Sequence, residues 1–306
     1  NAYLVDAPDV FVWSRAKPID PNAPHMTKGN YSSDGGNLIL SQAERDQLLK
    51  QNPKLECCIR RYIVAKDFIN GGESRYCLWL KDVEPGVYSG NAEIMRRFDA
   101  VREFRAKSSA KPTRAMAAKP FLFFSTPQIE GKKLLAIPRV STSARKYIPM
   151  SLLPSDAIAS DSLSILQDAE LYHFGVLMSS VHMAWMRRVC GRFGDGYRYS
   201  GAVVYNTFPW CNPNSDRRSA IESAARKILD ARSKYPNATL AELYDNQKMP
   251  SELRAAHAAN DRAVLDAYGF SAEMSEAEIV TRLMDLYRCL TTGAAADKIA
   301  IKRGDR

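Results

Sequence analysis

Ten residues, Gly191-Arg192-Phe193-Gly194-Asp195-Gly196-Tyr197-Arg198-Tyr199-Ser200, gather hydrogen-bonding groups of several geometries into one short stretch. Three glycines let such a loop bend tightly and approach a groove or another backbone closely. A guanidinium donates bidentately to guanine O6 and N7, and an aspartate accepts from cytosine N4. Each such pair gives about 1–3 kcal/mol of discrimination between bases. The same residues also suit a glycine helix cap with an Arg–Asp pair folded inside the loop. The local pattern leaves base-edge reading and simple capping both open.

Other chemistries find less support. A methyl-transferring site needs a glycine-rich turn for S-adenosylmethionine and a tetrapeptide such as Asn-Pro-Pro-Tyr to hold a flipped base, and the chain has neither. Gly35-Gly36 and Gly71-Gly72 are isolated pairs in turn contexts, without a Walker loop or a G-x-G-x-x-G. No G-x-S-x-G elbow supports a serine hydrolase. Glu130-Gly131-Lys132 with Asp99 upstream has the residue types of a Mg²⁺-dependent nuclease. The tripeptide lies between two predicted strands, where a turn is the simpler account. His173 and His182 are nine residues apart, which is not a helical metal-ligand spacing, and they read as core-edge or hydrogen-bonded histidines. Cys57, Cys58, Cys77, Cys190, Cys211 and Cys289 form no C-x-x-C pair, so a reducing cytosol fits better than a disulfide framework or a structural zinc. No metal or cofactor is expected in these residues.

Charge narrows the partner. Residues 1–95 carry a net −1, residues 96–206 a net +9 and residues 207–306 a net +1. An excess confined to the middle third is the footprint of a polyanion partner or of a solvated basic face, and composition does not choose between them. There is no apolar run of about 18 residues and no basic-then-apolar leader, so a soluble, cytoplasmic protein without membrane contact is expected.

The elements that would position the loop follow from periodicity. Residues 1–37 read as a turn-rich connector continuing something upstream. Ser41 and Glu44 have capping-box spacing and open a helix to Lys50, and Lys54–Tyr62 can form another. Arg75–Leu80 is strand-like between glycine and proline turns. Asn91–Lys107 is helical, with Ile94, Phe98, Val101 and Phe104 on one stripe and Arg96, Arg97, Arg102 and Arg105 mostly off it. Strands are predicted at Phe121–Ser125, Leu134–Val140, Tyr147–Met150 and Ala202–Tyr205. Leu171–Cys190 reads as one long core helix ending in Arg187-Arg188, where capping and phosphate contact compete. Asp216–Tyr235, Leu240–Tyr244, Ser251–Tyr268 and Ser275–Leu290 are amphipathic helices. The expected fold is α+β: a mixed sheet with packed helices, then a small all-α C-terminal domain. The boundaries are 1–70 for the connector and short helices, 71–206 for the sheet domain, 207–290 for the helical domain and 291–306 for a tail.

Ordered motifs then point to a family. Asn1-Ala2-Tyr3-Leu4-Val5-Asp6-Ala7-Pro8-Asp9-Val10, Asp34-Gly35-Gly36-Asn37-Leu38, Arg75-Tyr76-Cys77-Leu78-Trp79-Leu80, Ile137-Pro138-Arg139-Val140-Ser141, Arg145-Lys146-Tyr147-Ile148-Pro149, Tyr172-His173-Phe174-Gly175-Val176-Leu177, His182-Met183-Ala184-Trp185-Met186-Arg187 and Val204-Tyr205-Asn206-Thr207-Phe208-Pro209-Trp210 resemble the C-terminal half of MmeI-like bacterial restriction–modification enzymes and their stand-alone methyltransferase relatives. The resemblance implies a target recognition domain at 71–206 for double-stranded DNA. It implies a preceding methyltransferase domain in cis that moves a methyl group from S-adenosylmethionine to adenine N6. By the same carry-over, Asp161, Ser162, Gly194, Asp195, Gly196 and Arg198 are base readers. Arg139, Ser141, Arg145, Lys146, Arg187, Arg192 and Tyr199 are expected at the DNA backbone. Gly194 and Gly196 depart from relatives, which often carry charged side chains there, so Asp195 takes over or the position is read loosely.

Two rival readings stand beside this one. Glu130 and Lys132 could carry a nuclease centre of their own. Residues 207–290 could instead dock a partner subunit.

Overall fold

The computed structural model describes residues 10–292; most of the opening motif, Asn1–Asp9, and the tail from residue 293 lie outside the described residues. The first half runs β1 (Met26–Lys28), β2 (Ile39–Ser41), α1 (Gln42–Gln51), β3 (Ile59–Ile63), α2 (Ala65–Asn70), β4 (Arg75–Leu78), α3 (Ala92–Ala106) and α4 (Lys111–Ala115). Then come β5 (Leu134–Pro138), β6 (Val140–Ser141), β7 (Ser151–Leu153), β8 (Ile158–Ala159), β9 (Leu163–Gln167), α5 (Leu171–Leu177) and α6 (Ser180–Val189). The last part holds β10 (Gly191–Phe193), β11 (Gly196–Arg198), α7 (Ser215–Ser233), α8 (Leu240–Leu243), α9 (Ser251–Tyr268) and α10 (Glu276–Thr292). Mixed sheets with helices, followed by the helical region α7–α10, make this an α+β protein, as the sequence pattern indicates. Contacts divide the chain into two units that are not continuous in sequence. One is Thr27–Ala136 with Leu152–Gln167; the other is, among the described residues, the chain up to Met26, Ile137–Ser151 and the part from Asp168 on.

In the first unit, β2, β4, β3 and β8 form a sheet in that order. Ile39 stands opposite Cys77, Ile59 opposite Leu78, and Tyr62 opposite Ile158 in the parallel pair. One face packs on α1 and α3 through Leu38, Leu40, Leu48, Ile94, Phe98 and Val101. Ser41 caps α1 with the reciprocal Glu44 bond expected of its spacing. On α3 the stripe is Ile94, Arg97, Phe98, Val101 and Arg105, not the purely apolar one expected. Arg105 is fully buried, while Phe104 is 46% exposed. The reason is a cluster of converging backbone carbonyls: Arg105 donates to those of Ser32, Ser33, Met116, Lys119 and Leu122 at 2.7–3.1 Å. A guanidinium, with five donors in a rigid fork, can satisfy five acceptors at once.

The second sheet, β1-β9-β5-β7, carries a small core of Leu134, Ala136, Leu153, Leu163 and Ile165. Lys54–Tyr62 is not the helix anticipated. Pro53–Cys58 is a 3-10 turn and Ile59–Ile63 a central strand, whose neighbours on both sides bury Ile59 and Tyr62. Phe121–Ser125 is a loop with a single bridge from Ser125 to Tyr31. Its rings serve as plugs, with Phe123 set edge-on to Trp79 and Tyr62.

In the other unit the expected long helix breaks at Met178-Ser179. Ser179 caps α6 through His182 N–H, and the freed Ser180 N–H is taken by Asp261 of α9 at 2.7 Å. Asp261 also accepts from the Tyr147 hydroxyl at 2.7 Å. That bond fixes Tyr147–Met150 as a buried loop where a strand was expected. Gly175 lets α5 lie against α7: a Cβ there would stand 2.6 Å from Ile221. Ala202–Tyr205 is a π-helical turn, with the Trp185 indole donating to Val204 O at 3.2 Å, and not a strand. Among the described residues, no helix is long and apolar enough to cross a membrane.

Candidate nucleic-acid interface

The loop after α6 is a β-hairpin. Gly191 pairs with Arg198, Arg192 with Tyr197 and Phe193 with Gly196, leaving Gly194-Asp195 as a two-residue turn. Gly194 has φ +54°, the left-handed value that the first position of a type II′ turn takes and that glycine adopts without strain. The hairpin is extended by β6, with Tyr197 opposite Ser141 and Arg198 opposite Val140.

Strand alternation then sorts the side chains. Directly opposed residues share a face, so Gly191, Phe193, Gly196, Arg198 and Val140 lie on one side, and Arg192, Tyr197 and Ser141 on the other. The first face is open: Phe193 is 66% exposed, Val140 45%, and Arg198 stands in solvent. The second is packed, Tyr197 and Ser141 both being buried. Arg192 lies at its rim with its guanidinium 4.4 Å from the centre of the Tyr197 ring.

What fixes this hairpin in place is the Tyr197-Arg198-Tyr199 alternation. Both tyrosines turn inward and the arginine between them outward. Tyr199 is buried, and its hydroxyl is hydrogen-bonded to His182 Nε2 at 3.0 Å. Burial alone drives the His182 pKa down to about 3, and burial first, with Tyr205 adding to it, raises that of Tyr199, so the pair is a neutral anchor. Tyr199 is therefore not a phosphate contact, contrary to expectation. Ser141 is also corrected: its hydroxyl is buried on the packed face. Arg187 pairs with Glu276 at 2.8 Å and donates to the Lys146 carbonyl, so its charge is used internally. Arg139 accepts the Tyr199 N–H through its carbonyl. That register sets it opposite Tyr199, half-buried and turned away from the Arg198 face.

The expected cations at 145–146 sit in a clamped segment. Asn246 accepts from Lys146 N–H at 3.2 Å and donates to the Ala144 carbonyl. Lys146 is exposed over the Tyr147 ring, while Arg145 is half-buried, which lowers its pKa.

Asp161 and Ser162 belong to the first unit, in the turn from β8 to β9. Asp161 N–H donates to Asn30 O at 3.0 Å, and Ser160 bridges to Asn30. Asn30 is held in turn by Gln128 at 2.8 Å. Gly29 is obligatory here, since a Cβ would meet Ser160 O at 2.1 Å. The Ser162 hydroxyl accepts the Ala65 N–H at 2.8 Å and bonds Ser160, so it shapes the turn, and Asp161 is half-buried beside it.

Glu130, the acid proposed for a nuclease centre, accepts the Trp79 indole N–H at 2.7 Å. Asp99 pairs with Arg102 on the exposed side of α3. Among the described residues no three His, Cys, Asp or Glu side chains are grouped to hold a metal ion.

Known families divide the chain differently from the two contact units, with a single boundary after residue 212. The family described as "MmeI, target recognition domain" matches residues 6–212, and "MmeI, C-terminal domain" matches residues 213–295. Over 291 residues the chain is 37% identical to DNA methyltransferase A of Bacillus subtilis (strain 168), covering 95% of this chain and 33% of that protein. It superposes with a TM-score of 0.89 and 41% identity on the type IIL restriction-modification enzyme MmeI solved in complex with DNA, covering 94% of this chain and 38% of that one. The chain thus spans between a third and two-fifths of the length of these relatives.

Proposed function

Since the chain belongs to the MmeI family, as its target recognition and C-terminal domains, we propose that it is the sequence-reading module of a site-specific adenine-N6 DNA methyltransferase. Methyl transfer from S-adenosylmethionine is assigned to a methyltransferase domain of the same polypeptide, and the module's ligand is double-stranded DNA. The observation that carries this reading is the open face of the hairpin: a solvent-facing Arg198 on a β-hairpin that β6 extends to three strands, backed by buried Tyr197 and Tyr199. The major groove admits the two-stranded tip of such a hairpin, and a guanidinium there identifies guanine bidentately. Asp195, exposed in the turn, is suited to accept from cytosine N4. Arg192 and Lys146, exposed beside aromatic rings, are suited to phosphates, which position the module without specifying sequence.

The test is methylation mapping in cells expressing full-length protein. Arg198→Ala should relax the methylated sequence at one base pair, a loss of about 1–3 kcal/mol. Lys146→Ala should weaken all sequences alike and lower the slope of log K against log salt by about 1. An Arg198→Ala protein that methylates an unchanged sequence would remove the assignment.

A further inference from the structure

Phe193 is the last residue of β10 and is two-thirds exposed, an unusual position for a large ring on a hairpin whose other aromatic residues are buried. Register puts it on the same face as Arg198 and Val140. Gly191 and Gly196, lacking side chains, leave the floor between them flat. A Cβ on Gly196 would meet the Ser141 carbonyl at 2.8 Å, so that floor cannot be filled without moving the strand. The face therefore offers one guanidinium and one aromatic ring, two residues apart along the ribbon. That is a step of about 6.6 Å, close to two base-pair rises.

Resting on the reading above, we propose that Phe193 is a further specificity-determining residue, its ring set against the C5-methyl of a thymine in the major groove about two base steps from the pair read by Arg198. The thymine methyl is the one apolar group a base pair presents in that groove, and phenylalanine is among the side chains that contact it. A wedge between stacked bases is the other use of such a ring, but wedges enter from the minor groove. Here the ring lies beside the guanidinium on a sheet face suited to base edges, so the methyl contact fits better.

The experiment uses full-length protein and duplexes carrying its mapped site, with each thymine replaced in turn by deoxyuridine, which removes only the methyl group. For the wild type, one replacement should lower kcat/KM for methylation about fourfold, the worth of one buried methyl group. Phe193→Ala should be slower on the natural duplex and indifferent to that replacement, and Phe193→Leu should recover part of the sensitivity. The inference is overturned if the wild type is indifferent at every thymine, if the mapped site holds no thymine within reach, or if Phe193→Ala keeps the full effect. Arg198→Ala separates the two failures. If it relaxes the sequence while Phe193→Ala changes nothing, the methyl contact alone is wrong; if it leaves the sequence intact, the reader assignment fails as well.

Discussion

Tyr199→Phe separates the two roles that the hairpin's second tyrosine could play. The ring keeps its packing, so no cavity opens, and only the hydroxyl is lost. That hydroxyl is the partner of His182 Nε2 at 3.0 Å, and His182 Nδ1 is already buried with no hydrogen-bond partner among the described residues. The variant would leave both nitrogens of a fully buried imidazole unsatisfied. One lost bond plus the desolvation penalty of the stranded nitrogen gives about 1–3 kcal/mol. Because the pair ties β11 to α6, the cost falls on local opening of the hairpin, and amide exchange over residues 191–200 should accelerate about 5- to 150-fold. Hydrogen-exchange mass spectrometry of the full-length protein reads this segment directly, and a DNA-binding titration reads the salt slope beside it. An unchanged exchange rate together with a shallower salt slope would refute the anchor and return Tyr199 to the phosphates.

Arg105→Lys replaces a fork that satisfies five carbonyls with three donors, so thermal unfolding should show a loss of about 2–5 kcal/mol; a change near zero would mean the carbonyls find water instead. At the turn, Gly194→Ala meets no atom within 4 Å and should cost only its left-handed φ, about 1–2 kcal/mol. Gly196→Ala, forced against the Ser141 carbonyl, should cost more and speed exchange in β6 as well; equal costs would show that the ribbon shifts freely. Acid should destabilise through His182. Its folded pKa of about 3 lies below the unfolded value near 6.5, so the unfolded chain takes the proton first. This contribution is complete above pH 6.5 and is lost as pH falls toward 3, at up to about 1.4 kcal/mol per pH unit. His182→Gln should flatten that limb of a stability–pH curve.

Local rules made parts of the fold legible. Ser41 and Glu44 foretold α1 because a capping box is satisfied within four residues, and α3 and the helices of residues 215–292 declared themselves by an amphipathic period. Misreadings arose where a distant group decided the outcome. Asp261 takes the amide that ends the α5–α6 run, and neighbouring strands claim Ile59–Ile63. Arg105 enters the core because carbonyls dozens of residues away in sequence need donors. The alternation of Tyr197, Arg198 and Tyr199 was a period-two signal that could have identified Tyr199 as inward-facing and Phe193 as outward-facing.

Composition and motif order alone determined the α+β class, the basic middle third and the glycine-flanked loop, since each depends on residue identity and spacing along the chain. Which side chains of that loop meet solvent was decided by the tertiary structure. A hairpin's two faces are equivalent until another element packs on one of them. Here β6 pairs along the edge of β11 and fixes its register, and His182 of α6 backs one face, turning Tyr197 and Tyr199 inward and leaving Arg198 and Phe193 facing out.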